Sequence, residues 1–132
     1  MAVAVARRRG GYTHDVQVAG HSLVMDEPTD AGGADEGPSP TRLLAASLAA
    51  CTAITMEMYA ERKDWPLGAV QVEVDVDYER ATPRAFEVTI RVECDLDDEQ
   101  LERLRTIAGR CPVHTAIAGE TPVTIEDTIE RL

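Results

Sequence analysis

At 132 residues with 44% apolar side chains, the chain suits a single domain over 1–132 with its own core and is too short for two ordinary ones. Acidic residues outnumber lysine and arginine by 24 to 13, and the net charge of −11 repels phosphate backbones, which argues against nucleic acid as a partner. Three cysteines are too few, and odd in number, for a secreted disulfide framework, so free thiols in a reducing compartment are expected.

At the amino end the charges of Arg7, Arg8 and Arg9 follow an apolar run, the reverse of a secretory signal, and the expected location is the cytoplasm. Val3 and Val5, Val16 and Val18, then Leu23 and Met25 suggest short strands broken near Gly10-Gly11 and Ala19-Gly20, an amino-terminal meander. Residues 27–40 are rich in Pro, Gly, Asp and Glu without hydrophobic periodicity and read as a surface loop leading into a helix. That helix should run over about 40–63, with Leu44, Leu48, Cys51, Thr55 and Met58 forming its stripe. Its first half is small or apolar on every side, through Ala45, Ala46, Ser47, Ala49, Ala50 and Ala53, so it should be covered all round as a central helix. The uncharged stretch 43–56 falls short of the roughly 20 apolar residues that span a bilayer, and no membrane association is expected.

Strict alternation follows. Val70, Val72, Val74, Val76 and Tyr78 share one face, and after a short connection containing Pro83 so do Phe86, Val88, Ile90, Val92 and Cys94, which predicts an antiparallel hairpin with Cys94 turned to the core. A second helix should start at Asp97, whose spacing to Gln100 is that of a capping box, with Leu101, Leu104 and Ile107 inside and Gly109 as terminator. Cys111-Pro112 opens a further helical turn through Ile117, and the alternation of Val123 and Ile125 with Thr124 and Glu126 reads as a last strand over 122–129.

Few residues offer chemistry. Cys51, deep in a helix of small residues, reads by itself first as a small core hydrophobe. Cys111 precedes a proline, which favours the first helical position, so its sulfur should sit at an N-cap where amide protons stabilise a thiolate; His114 follows one turn later. A zinc site from Cys51, Cys111 and His114 would be only half built, because Cys-x-x-His lacks further ligands at metal spacing. There is no glycine-rich phosphate loop and no Gly-x-Ser-x-Gly elbow, so no cofactor or metal is implied and thiol chemistry remains.

Several stretches in this order resemble the OsmC and organic hydroperoxide resistance (Ohr) family, closest to its OsmC-like redox branch. They are Gly37-Pro38-Ser39-Pro40, the helix from Leu43-Leu44-Ala45-Ala46 through Ala50-Cys51-Thr52, Met58-Tyr59-Ala60-Glu61-Arg62-Lys63 with Trp65-Pro66-Leu67, and Cys111-Pro112-Val113-His114. The resemblance implies an α+β fold in which antiparallel sheets wrap around long central helices in an intertwined homodimer. It also implies that Cys51 is the peroxidatic thiolate of a Cys-based peroxidase, serving the oxidative stress response, with Cys111 as resolving thiol. Small organic hydroperoxides would be the substrates, and an external dithiol, a lipoyl protein in the peroxidase branch, would be the reductant.

The chain departs from the pattern at two places. The hydroperoxide-resistance branch carries a glutamate ten residues ahead of the reactive cysteine, where this chain has Thr41 followed by Arg42. The family's amino-terminal arginine follows its glycines, where this chain has Tyr12, whereas Arg9 precedes Gly10-Gly11. Arg9, Arg42 and His114 are therefore the candidate thiolate partners. The alternative reading is a non-enzymatic homodimer that binds a small molecule and keeps its cysteines as packing.

Overall fold

The computed structural model describes residues 2–120 and 122–132 and has the α+β composition expected from the sequence. The order is β1 (Ala4–Gly10), β2 (Thr13–Val18), β3 (His21–Met25), α1 (Pro40–Arg62), β4 (Val70–Glu79), β5 (Thr82–Val92), α2 (Asp98–Ala108) and α3 (Pro112–Ala118). The chain divides into two compact units, 1–46 with 76–86 and 47–75 with 87–132.

In the first unit β1, β2 and β3 form an antiparallel meander in which Ala6 pairs with Val16 and Val16 with Leu23. Its turns fall where the glycines predict them: Gly11 adopts φ +55, and Ala19 and Gly20 adopt φ +47 and +88. The loop after β3 is held by Asp26, whose side chain is only 2% exposed. Thr13 Oγ1 donates to Asp26 Oδ2 at 2.7 Å, and the Glu27 and Glu36 amides donate to its carboxylate at 2.7 and 3.2 Å. A Cβ on Gly33 would lie 1.9 Å from the Glu27 carbonyl oxygen and one on Gly37 2.1 Å from that of Val24, so only glycine lets the loop lie this close to β3 and its end.

The second unit is built around Met56 and Ala60 of α1 and Leu104 and Ala108 of α2, all buried, with Trp65, Leu67, Val70, Ile90 and Val92 packed against them. Tyr59 meets Trp65 edge-on at 5.6 Å between ring centres and accepts from Arg103 Nε at 3.1 Å. That guanidinium also draws the Tyr59 phenol below its ordinary range. Asp64, at φ +56, ends α1, and the Trp65 amide returns to the Ala60 carbonyl at 2.9 Å.

Four local expectations are corrected. The buried row of α1 is Ala45, Leu48, Thr52, Met56 and Ala60, whereas Leu44 and Met58 are 38% and 55% exposed. A helix apolar on every side gives periodicity nothing with which to choose a face. Pro83 lies within β5 rather than in the connection, one residue past its first position, where a two-stranded sheet tolerates a missing amide donor. Cys94 lies just beyond β5 and is half-buried. Residues 122–132 form no strand, and Val123, Ile125, Ile129 and Leu132 are exposed.

By length and composition α1 is also long and apolar enough to cross a bilayer, a measure the short 43–56 stretch understated and one that core helices of soluble proteins meet as well.

Candidate active site

All three cysteines lie in the second unit. Cys51 lies on α1, one residue before the buried Thr52, and is itself half-buried. Cys111 has no exposed surface. Its backbone, at φ −63 and ψ 146, is extended, Pro112 takes the first helical position, and Cys111 is the N-cap of α3 as its sequence predicts. The His114 amide donates to Cys111 Sγ at 3.2 Å.

Thr52 Oγ1 lies 4.0 Å from the same sulfur. Burial pushes the Cys111 thiol above its ordinary range, partly opposed by the His114 amide; the Cys51 thiol, through hydrogen bonding and charge, raises it further, and Thr52 lowers it. A partly accessible Cys51 thus acts electrostatically on a fully enclosed Cys111, whose thiol is pushed up. Two such thiols, one partly accessible and one enclosed, pass through a sulfenic acid to a disulfide where their sulfurs come within bonding range.

The other candidates have the following surroundings. The Arg9 guanidinium, on β1, is engaged by Asp15 within the first unit, which raises the arginine and lowers the carboxylate. Arg42 stands nine residues ahead of Cys51 on the same helix, about 13 Å along an ideal helix axis. Thr41 Oγ1 is 3.2 Å from the Tyr78 hydroxyl, so the position that differs from the family glutamate is occupied by a hydroxyl pair. His114 presents its amide to Cys111, while its ring Nδ1 is buried and 3.9 Å from Glu120, beyond hydrogen-bonding distance. Among the described residues no three His, Cys, Asp or Glu side chains converge as a metal would require.

Sequence reasoning passed over Thr52. A hydroxyl in the apolar half of a helix, next to a candidate nucleophile, is the signal that could have found it.

No curated protein sequence matches the chain. Among solved structures, an OsmC-like protein from Mycoplasma pneumoniae superposes with a TM-score of 0.77 at 16% identity, over 88% of this chain and 86% of that one. A Legionella pneumophila protein described as an organic hydroperoxide resistance protein OsmC gives 0.63 at 23% identity, over 90% and 91%. The organic hydroperoxide resistance protein OhrB of Bacillus subtilis gives 0.59 at 25% identity, over 88% and 89%. Sequence and structure converge here: the family model for OsmC-like proteins matches residues 32–126, and the chain belongs to that family.

Proposed function

We propose that the protein is a thiol-dependent peroxidase that reduces small organic hydroperoxides, with Cys51 as the attacking thiolate and Cys111 as the resolving thiol. One observation carries the reading: Cys51, partly accessible on α1, directly precedes Thr52, whose hydroxyl lies 4.0 Å from the enclosed sulfur of Cys111. The hydroperoxide-resistance descriptions of the Legionella pneumophila and Bacillus subtilis proteins support the substrate class.

In the first step the Cys51 thiolate attacks an oxygen of the hydroperoxide, the O–O bond breaks, and the departing alkoxide takes a proton and leaves as the alcohol. Cys51 is then a sulfenic acid. The Cys111 sulfur attacks it, an S–S bond forms, and water leaves. An external dithiol, of the lipoyl class in the peroxidase branch, reduces the disulfide and is itself oxidised.

The working form is read as a cytoplasmic homodimer. Leu44, Ile54 and Met58 on α1 stay 38%, 50% and 55% exposed in one chain, apolar surface that a second copy would cover. An arginine holding Cys51 as thiolate would come across that interface, with Arg9 and Arg42 as the candidates.

The test adds one equivalent of cumene hydroperoxide to reduced protein and follows intact mass and free thiols. Loss of two of the three thiols, with a Cys51–Cys111 peptide link, is expected, and Cys51→Ser abolishes it. Survival of both thiols overturns the proposal. Equal hydroperoxide consumption by Cys51→Ser and wild type would instead favour the non-enzymatic small-molecule-binding homodimer.

A further inference from the structure

We infer that Thr52 is a positioning residue for the Cys111 sulfur and thereby directs an incoming thiol to open the Cys51–Cys111 disulfide at Cys51. This deepens the peroxidase reading, from which it takes the identity of the disulfide.

A threonine inside a helix commonly satisfies its hydroxyl on the carbonyl four residues back. Thr106 on α2 does so, donating to the Glu102 carbonyl at 3.1 Å. Thr52, 3% exposed, instead has its hydroxyl 4.0 Å from Cys111 Sγ, a hydroxyl–sulfur contact in an otherwise apolar helix face. A buried hydroxyl without a partner is costly, so this contact also fixes the Thr52 rotamer toward the sulfur.

Accessibility and charge then point the same way. Thiol–disulfide exchange needs an open approach to one sulfur and a stabilised negative charge on the other. Cys51 is half-buried and offers the approach, whereas Cys111 has no exposed surface. Two groups stand where they can donate to a Cys111 thiolate: the His114 amide at 3.2 Å and the Thr52 hydroxyl at 4.0 Å. Both bonds favour the sulfur as an anion, against the burial that opposes it.

The step balances as follows. The reductant thiolate attacks Cys51 Sγ, the new S–S bond forms as the Cys51–Cys111 bond breaks, and the electron pair leaves on Cys111, which then takes a proton. The second thiol of the reductant attacks the mixed disulfide, releases the Cys51 thiolate, and leaves as the second sulfur of an oxidised dithiol.

The experiment uses full-length protein oxidised with diamide, so that the disulfide does not depend on hydroperoxide turnover. A monothiol, 2-mercaptoethanol, is added, and the adduct is located by peptide mapping. It is expected on Cys51; an adduct on Cys111 in equal or greater amount, or failure of diamide to form the link, overturns the inference.

Thr52→Val should slow the opening by roughly three- to tenfold while Thr52→Ser stays near wild type, the range expected for one hydrogen bond. In a Cys51→Ser, Cys94→Ser background, Thr52→Val should also raise the midpoint of Cys111 thiolate absorbance, a readout that packing alone would not move. An unchanged rate or an unchanged midpoint overturns it. Failure of the peroxidase reading is distinct, appearing as wild-type thiols that survive hydroperoxide while the diamide-made disulfide still opens at Cys51.

Discussion

Asp26 in the first unit and Cys111 in the second are both acids with almost no exposed surface, and their surroundings hold them in opposite protonation states. Asp26 accepts from the Thr13 hydroxyl and from backbone amides, and these donors hold its carboxyl below the ordinary range despite burial. Cys111 has one amide at 3.2 Å and a hydroxyl at 4.0 Å, too little to offset burial and the neighbouring Cys51, so its thiol is pushed up. The number and closeness of donors decide whether an enclosed acid is a fixed anchor or a group that changes state during a reaction.

The comparison breaks most visibly at the anchor. Asp26→Asn places an amide nitrogen where one carboxylate oxygen receives donors, and should lower the thermal midpoint by roughly ten degrees, read by calorimetry. Next comes the exchange of one acid for the other: Cys111→Asp puts a carboxylate where donors are few, so it should destabilise more than Cys111→Ala and titrate above the ordinary carboxylate range, measured by NMR. Thr13→Val removes the Thr13 hydroxyl donor to Asp26 and should cost about half as much as Asp26→Asn in the same calorimetric measurement. The smallest effect is expected at an exposed acid. Asp97→Ala removes the capping box of α2 and should cost about 1 kcal/mol or less by urea unfolding.

Acidity sharpens the same contrast. The folded carboxyl of Asp26 lies below its unfolded value, so its stabilisation is complete above the unfolded value and is lost as pH falls through the folded one. Cys111 runs the other way: its folded value is raised, so its contribution is complete below the unfolded thiol value and is lost as pH rises through the folded one. The stability gap between wild type and Asp26→Asn should therefore narrow at the acid end, and that between wild type and Cys111→Ala at the alkaline end.

Much of the fold was legible. The strand alternation, the glycine turns of the meander, the Asp97 capping box and the Cys111-Pro112 helix start each depend on a few adjacent residues, and each forms where the sequence places it. Residue type and resemblance name Cys51 and Cys111 as the candidate pair. They do not name Thr52, because a lone hydroxyl in an apolar helix acquires meaning only when a distant sulfur faces it. The Asp26 anchor was missed for the same reason: Thr13 and Glu36 lie 13 and 10 residues away in the chain and meet at its carboxylate only once β2, β3 and the following loop are assembled.

The sequence by itself determined local backbone choices, because periodicity, capping and turn chemistry act within a few residues. Tertiary structure alone decided which side of α1 is buried, that Pro83 lies within a strand, and that residues 122–132 carry no strand of their own. It also decided that the sulfur of a late helix cap sits against α1. Those outcomes depend on contacts between segments far apart in the chain, and a uniformly apolar helix or an isolated alternating tail carries no local term that distinguishes among them.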